Sequence, residues 1–480
     1  MLRWCFVISM LLSSVNFAHG TIIHGYDASK NENAQTTNEK CVKCHNSVTP
    51  GIVKQYLDSP MTKLSKKPVL CVNCHSYEHQ TSDDAHKAKM PTADSCAEKC
   101  HSDQLVQMRK GKHNLAWFGM KSQVAYHGQP AQITGDGYRG CSGCHKIGQK
   151  GLMGIQEGIT GELESDGGKE ISEYRYGNAQ CDACHTRHSF KKSEAQDPRA
   201  CSNCHMGFDH PQWEMYMSSK HGIIWDIENN KNEDGRTPTC QQCHMAEGNH
   251  EVRTSWGFLG LRIPTKQNVL GLIKSAPSLE ESLTSLAKHL PNGNYDGLDD
   301  NPEWVLDRAV ILQAAGILDE SLQPTERFIE IIVQGEAANG PNKFNEMRAE
   351  MKAICNDCHA KDFVAGHFDA SDEILKSADH EFAKAIRAVQ GLYKDGILQK
   401  PEGWKYAPDL LQYYDAKTKV EQELYLIMLE YRQRTFQGAF HASNDYMHWY
   451  GWAPLKSSVN IILEEVKHMR KAAKPVEDEK

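Results

Sequence analysis

Residues 181–221 have the sequence CDACHTRHSFKKSEAQDPRACSNCHMGFDHPQWEMYMSSKH, and this stretch decides the fold. It contains two copies of Cys-x-x-Cys-His, one at Cys181, Cys184 and His185 and one at Cys201, Cys204 and His205. This pentapeptide is the signature of c-type haem attachment. Both thiols bond to the haem vinyl groups, and the adjacent His binds the iron. Four further groups of the stretch are candidates for second iron ligands or acid–base chemistry: His188, Asp209, His210 and His221.

The same motif recurs along the chain, and we number the sites 1 to 8 in chain order. Besides the two copies above (sites 5 and 6), the regular sites are Cys41, Cys44 and His45 (site 1), Cys71, Cys74 and His75 (site 2), Cys141, Cys144 and His145 (site 4), Cys240, Cys243 and His244 (site 7) and Cys355, Cys358 and His359 (site 8). Site 3 has one extra spacer residue and consists of Cys96, Cys100 and His101. Only Cys5 remains outside the sites, so eight covalently bound haems are predicted.

Zinc ribbons and disulfides are the alternatives for a cysteine-rich chain. Zinc ribbons also use pairs of Cys-x-x-Cys. Neither tetrahedral zinc nor a disulfide framework requires a His after every second Cys, so haem is favoured. At site 3 a disulfide or two free thiols stay open, because the longer spacer must bulge for both thiols to reach the haem.

The first twenty residues, MLRWCFVISMLLSSVNFAHG, have the features of a secretory signal peptide. Arg3 gives a positive start, residues 4–12 are mostly apolar, and small residues near Ala18 suggest a cleavage site. The apolar run is too short to span a bilayer, although a retained anchor is the alternative. Because c-type haems are attached outside the cytoplasmic membrane, we expect a periplasmic protein. The formal net charge of −8 and the scattered Lys and Arg residues give no support for nucleic-acid binding.

The expected fold class is mainly α with little β structure, because no stretch shows the period-two alternation of a strand. After the signal peptide (1–20), the predicted divisions are a haem-packed, loop-rich domain with sites 1–7 (21–260), a helical region with site 8 (261–371), and a C-terminal domain of long helices with a disordered tail (372–480). Residues 302–318 and 324–338 have helical spacing.

Within the C-terminal domain, one set of apolar residues shares a helix face at i, i+4, i+7 and i+8 spacing and is predicted to form core: Val420, Leu424, Ile427, Met428 and Tyr431. Pro401 and Pro408 mark a break between helices.

The eight sites resemble those of the octahaem hydroxylamine oxidoreductase family in number and order. The resemblance covers the chain from Cys41 to about Pro454. It rests on the segments MPTADSC (90–96), CDACHTRH (181–188), GFDHPQWEMY (207–216), SSKHG (218–222), TPTCQQCHM (237–245) and GWAP (451–454). It implies an enzyme with haem iron that acts on small nitrogen compounds.

The resemblance also implies second iron ligands on the side opposite the motif His. Six positions match by their neighbouring motifs: His86, His113, His188, His221, His250 and His441. The family's seventh such ligand is a His within Ser-x-His, where this chain has Ser59, Pro60 and Met61. Either Met61 binds that iron through sulfur, which would raise its potential, or another His such as His24 or His79 takes its place.

Site 4 corresponds to the family's catalytic haem, which has no second protein ligand. The family's catalytic Asp–His pair matches Asp209 and His210. Chemistry explains such a pair, because an imidazole near its pKa delivers or accepts the protons that accompany electron transfer. The alternative is a structural loop with a hydrogen-bonded His.

The C-terminal motif departs from the oxidative members of the family. These have a Tyr three residues before the Gly of GWxP, which cross-links to the catalytic haem of a neighbouring subunit. This chain has His448 there, with Tyr446 and Tyr450 beside it. Relatives without the cross-link resemble reductases of nitrite or hydroxylamine. His448 is therefore a candidate second proton donor or, alternatively, a packed interfacial residue.

The resulting expectation is a periplasmic octahaem reductase that converts nitrite or hydroxylamine toward ammonia at site 4. Its electrons would come from a redox partner such as a quinol-linked or soluble cytochrome c, and the resemblance implies a homotrimer. Two alternatives stay open. One is hydroxylamine oxidation, and the other is a non-catalytic multihaem electron-transfer protein.

Overall fold

The structure is a computed structural model of the chain. It describes residues 31–63, 68–88, 91, 93–97, 100–111, 113, 116, 129–130, 133, 140–145, 147, 181–228, 235–254, 266–267, 270, 280–288, 301–320, 325–327, 346–412 and 415–473. No strand occurs in these residues, and helices connected by turns and short loops account for most of them. His24, His127 and most of segments 146–180 and 324–338 lie outside the described residues.

Short helices make up the part of the chain that contains sites 1 to 7. They are α1 (Asn31–Val48), α2 (Pro50–Asp58), α3 (Pro60–Lys63), α4 (Cys71–His75), α5 (Ala93–Ala97), α6 (Ser102–Lys110), α7 (Gly140–His145), α8 (Lys192–Gln196), α9 (Arg199–Ser202), α10 (Gln212–Ser218), α11 (Lys220–Ile227) and α12 (Cys240–His244), with 3₁₀ turns at Ser82–Lys87, Cys181–Ala183 and Ala246–Gly248. Local caps start several of them. At α12, for example, Thr239 and Gln242 exchange side-chain and backbone hydrogen bonds of 2.7 and 3.4 Å, which is a capping box.

The helices C-terminal to site 7 include the two longest in the described part of the chain. They are α13 (Glu280–Ala287), α14 (Pro302–Ala314), α15 (Lys361–Lys394), α16 (Lys419–Leu426), α17 (Arg432–Phe440), α18 (Asn444–Tyr446) and α19 (Ala453–Ala472), with π-helical turns at Ile427–Tyr431 and Met447–Trp452. The Asn301 side chain accepts from the Trp304 amide at 3.1 Å and so caps α14, where Pro302 occupies the first turn. The predicted break at Pro401 and Pro408 falls between α15 and α16. Helix α15 passes without interruption through the division predicted between residues 371 and 372.

The main hydrophobic core lies among α14, α15, α16 and α19. Members that are fully buried or nearly so include Ile311, Phe382, Ile386, Val420, Leu424, Ile427, Met428, Leu455 and Ile462. The apolar stripe predicted from spacing is therefore core, with Tyr431 partly buried against it. Gly451 is required in the C-terminal motif, because a Cβ there would lie 2.5 Å from the backbone nitrogen of Thr435 on α17.

Within the described part of the chain, no helix combines the length and the apolar composition needed to cross a membrane.

Candidate functional site: paired histidines and one Asp–His pair

Each attachment motif closes into a single helical turn. The amide of the motif His donates to the carbonyl of the first Cys at 3.0 Å in site 5, 2.9 Å in site 6 and 2.9 Å in site 8. This turn places the two cysteines, three residues apart, on one face of the helix. At site 3 the His101 amide donates to the Cys96 carbonyl at 3.3 Å, across one more residue, so a wider turn absorbs the extra spacer. None of the described cysteines, including Cys96 and Cys100, forms a disulfide.

Six of the eight motif histidines have a second His ring about 6 Å away. The ring centres are separated by 6.0 Å for His45 and His79, 6.1 Å for His75 and His188, 6.2 Å for His185 and His250, 6.0 Å for His205 and His113, 6.2 Å for His244 and His441, and 6.1 Å for His359 and His221. Imidazole nitrogen binds a metal at about 2.0–2.1 Å. Two rings on opposite sides of one iron therefore have centres about 6 Å apart. The pairs fit six-coordinate haem iron.

Hydrogen bonds at Nδ1 orient many of these rings and leave Nε2 for a metal. The bonds run from His45 to the Thr49 hydroxyl (2.8 Å), from His79 to the Asp84 carboxylate (3.0 Å), from His145 to the Ala116 carbonyl (3.1 Å), from His205 to the Gln212 amide oxygen (3.1 Å), from His244 to the Arg253 carbonyl (2.7 Å) and from His441 to the Gln437 carbonyl (2.7 Å).

Burial lowers the pKa of His188, His205 and His441 to about 4. All three are thus neutral at neutral pH, the form that binds metal.

The ring opposite His45 at site 1 belongs to His79. Met61, the residue in the family's ligand position, lies just after Ser59, whose hydroxyl accepts from the Met61 amide at 3.1 Å. Of the two sequence alternatives, the geometry favours the His. His79 could be considered as a ligand from the sequence, because it stands four residues after the site 2 motif. Only the fold shows that its ring lies opposite His45 of site 1.

Site 3 lacks such a pair within the described residues. His86 lies in the 3₁₀ turn Ser82–Lys87 and makes no ring contact with His101 there. The expectation that His86 is the second ligand of an iron therefore stays a prediction from the resemblance.

Site 4 is not one of the six paired sites. Burial lowers the pKa of His145, and the charges of His210 and Asp209 also act on it, in opposite directions. Nδ1 of His210 donates a short hydrogen bond to Asp209. The His210 ring also stands edge-on to His205 of site 6, with ring centres 5.9 Å apart. The charges of the Asp–His pair thus reach His145, and the assignment of the three residues to one catalytic centre stays a prediction from the resemblance.

The interaction between Asp209 and His210 shifts the pKa of both residues. Burial lowers the pKa of His210, but the hydrogen bond and negative charge of Asp209 outweigh burial, so the pKa lies above its usual value. Burial likewise raises the pKa of Asp209, and the bond to His210 more than reverses this. The pair therefore favours carboxylate beside imidazolium, which is a proton donor.

His448 is exposed in the π-helical turn before α19. Its ring stands edge-on to that of Trp449, with centres 4.7 Å apart. The Tyr446 and Tyr450 rings stack at 4.8 Å beside it. Trp449 and Tyr450 are also exposed.

Contacts and short-range electrostatic interactions between cysteines of different motifs connect all eight sites. Pairs of cysteines from different motifs lie close enough to shift each other's pKa: Cys41 and Cys71 (sites 1 and 2), Cys96 and Cys181 (3 and 5), Cys144 and Cys204 (4 and 6), and Cys201 and Cys240 (6 and 7). Interacting thiols also link Cys74 to Cys96 (2 and 3), Cys184 to Cys201 (5 and 6), and Cys243 to Cys355 (7 and 8). We call this connected series the thiol path. It runs 1–2–3–5–6–7–8, and site 4 branches from site 6.

Residues 67–261 match a family model described as seven times multi-haem cytochrome CxxCH. The match contains sites 2 to 7. The prediction of covalently bound c-type haems is thereby confirmed, whereas the number eight stays a prediction.

A curated relative is described as a probable nitrite reductase-hydroxylamine oxidoreductase fusion protein from Kuenenia stuttgartiensis. It is 24% identical over 410 residues, which cover 76% of this chain and 39% of the relative. The chain thus spans about two fifths of the length of the curated relative that it matches.

Two solved structures are similar in fold. One is the Kuenenia stuttgartiensis reducing HAO-like protein complex, with a TM-score of 0.57, 20% identity and coverage of 94% of this chain and 89% of that one. The other is described as a hypothetical multiheme protein, with a TM-score of 0.57, 19% identity and coverage of 93% and 98%. The mainly α multihaem fold is therefore confirmed.

Proposed function

We propose that this chain is a periplasmic multihaem oxidoreductase that reduces nitrite or hydroxylamine toward ammonia at site 4. One observation carries the proposal. Six motif histidines face a second imidazole, whereas His145 lies within reach of the charges of Asp209 and His210. An iron held by His145 with one side left to a substrate is what catalysis needs, and an imidazolium beside that side supplies protons.

A haem bound at Cys141, Cys144 and His145 would supply an iron that exchanges electrons with a small nitrogen ligand. The chain's own part is to orient and to move protons. The Ala116 carbonyl orients His145 through Nδ1. Asp209 occupies Nδ1 of His210, which leaves Nε2 to donate a proton to an oxygen or nitrogen of the substrate. Because reduction of nitrogen oxides takes up protons with electrons, a donor with a raised pKa suits this direction.

The thiol path supports delivery of electrons from a distant donor. Site 4 adjoins site 6 through Cys144 and Cys204, so site 6 is the proposed last relay. The donor would be a quinol-linked or soluble cytochrome c, and the proposed periplasmic location depends on the signal peptide that we predict at residues 1–20. In a homotrimer, the exposed His448 of one subunit would reach site 4 of the next as a second proton donor.

Hydroxylamine oxidation is the second candidate, because the name of the curated relative includes hydroxylamine oxidoreductase as well as nitrite reductase. His448 in place of the family's cross-linking Tyr supports reduction over oxidation. A non-catalytic electron carrier is the third candidate, in which every iron would have two protein ligands.

Electron paramagnetic resonance of the oxidised holoprotein, with assays in both directions, tests the proposal. We expect one high-spin ferric component that shifts on adding nitrite or hydroxylamine, and reduction of both that is faster than hydroxylamine oxidation with artificial carriers. An entirely low-spin spectrum that does not change on adding nitrite or hydroxylamine would establish the third candidate, a non-catalytic electron carrier. Faster oxidation would establish the second candidate.

A further inference from the structure

The loop after site 2 holds a carboxylate behind a histidine. His79 faces His45 at 6.0 Å between ring centres, and its Nδ1 donates to Oδ1 of Asp84 at 3.0 Å. The same oxygen accepts from the amides of Gln80 at 2.9 Å and Thr81 at 2.8 Å. Asp84 stands at the third position of the 3₁₀ turn that follows Thr81, so the local fold fixes the carboxylate. The side chains of His79 and Asp84 are each 24% exposed.

This arrangement differs from those at the other oriented rings. Of the six Nδ1 hydrogen bonds given above, five end on neutral oxygens of a hydroxyl, an amide or a backbone carbonyl. The bond from His79 ends on a carboxylate. A carboxylate behind an imidazole makes the ring a stronger electron donor to its metal.

Site 1 also stands at one end of the thiol path, where Cys41 contacts only the motif of site 2 among the described thiol contacts. Cys44 of its motif is exposed, as are Cys100 of site 3 and Cys358 of site 8. Electrons that enter or leave the protein at this end pass through one iron, and the ligands of that iron set the driving force for the transfer.

We propose that His79 is the second ligand of the site 1 haem and that Asp84 is its positioning residue, which makes site 1 a low-potential terminus for electron exchange. The couple is the one-electron Fe(III)/Fe(II) couple of this haem. The carboxylate would stabilise the ferric form, and the electron would pass to or from site 2 with no bond made or broken. Met61 remains unligated. This inference is independent of the reaction at site 4, since it holds equally for a reductase, an oxidase or an electron carrier.

The ligand is tested on the purified holoprotein by near-infrared magnetic circular dichroism, which separates His/His from His/Met coordination. We expect no sulfur-to-iron charge-transfer band in the wild type, an unchanged spectrum in Met61→Leu, and loss of one His/His component in His79→Ala. A sulfur band that disappears in Met61→Leu would overturn the assignment. Because the wild type and Met61→Leu decide this point, failure of His79→Ala to fold leaves the test intact.

The carboxylate is tested by potentiometric titration followed by electron paramagnetic resonance. In Asp84→Asn, which preserves the shape and removes the charge, we expect the midpoint potential of one haem to rise while the other haems keep theirs. Asp84→Glu should restore much of the low potential. Asp83→Asn is the matched control, because exposed Asp83 bonds only to the Ser82 hydroxyl at 3.3 Å among the described contacts. Identical titrations for Asp84→Asn and the wild type would overturn the role of Asp84, whatever the activity at site 4.

Discussion

Asp209 accepts a hydrogen bond from Nδ1 of the adjacent His210, and this bond determines the charge state of the group that stands beside site 4. Both residues are part of a loop that ends at α10, where Gln212 orients His205 of site 6. One loop therefore places a proton donor between two neighbouring haem sites. Its consequences for catalysis are open to direct measurement.

Replacing His210 by Ala should leave haem loading unchanged and lower the turnover of nitrite or hydroxylamine reduction by roughly 10²–10⁴, the usual effect of losing a general acid. Absorbance measures loading, and a reduced artificial carrier measures turnover. His468→Ala is the matched control, because His468 is exposed on α19, away from the motifs. Turnover equal to that of the control would make the Asp–His pair structural.

Replacing Asp209 by Asn should move the alkaline limb of the rate profile to lower pH. Asp209 raises the pKa of His210, so in the wild type the donating imidazolium persists above its usual pH range and is lost as pH rises through that raised pKa. Without the carboxylate, the same loss occurs at lower pH. The measurement is kcat against pH, with Asp226→Asn, an exposed acid on α11, as the control. An unmoved alkaline limb would contradict a donor role for His210.

Intact mass of the mature holoprotein should show eight haem additions, because the wider turn from Cys96 to His101 accommodates the extra residue of site 3. A variant with both Cys96→Ser and Cys100→Ser should show seven. Seven additions in the wild type would remove site 3 from the haem sites.

Replacing Asp379 by Ala should lower the free energy of unfolding by about 3–5 kcal/mol, the usual cost of leaving a buried charge without its partner. Asp379 and Arg432 are 0% and 1% exposed and form an ion pair, and Asp379 also accepts from the Trp304 indole at 2.8 Å. Denaturant unfolding of the holoprotein followed by circular dichroism measures the change. Glu464→Ala, which breaks an exposed pair with Lys467, should leave the free energy of unfolding nearly unchanged. Similar values for both variants would contradict the argument.

Denaturing peptide analysis should recover Tyr446 and Tyr450 unmodified, with no covalent link between chains. The two rings stack on each other, and the family's cross-linking position is occupied by His448. A haem-bound tyrosine peptide would instead favour hydroxylamine oxidation.

The haem-attachment sites and the helical C-terminal core could be predicted from the sequence because both depend on local patterns. The thioether bonds use cysteines three residues apart with an adjacent His, and the Val420 stripe shows its buried face through spacing alone. The His210 assignment came from the resemblance, and in the structure the charge of His210 acts on the pKa of His145.

The pairing of the histidine rings was decided by the tertiary structure. An iron with two histidine ligands takes its two nitrogens on one axis, and the paired rings come from residues far apart in the chain, as in His244 with His441 or His359 with His221. At site 1 the family position contains Met61, yet the loop after site 2 returns His79 to His45. The sequence by itself determined where haem bonds to the chain, because covalent attachment needs residues that are neighbours in sequence. Only the folded backbone decided which side chain faces each iron, because that choice depends on distance and direction in space.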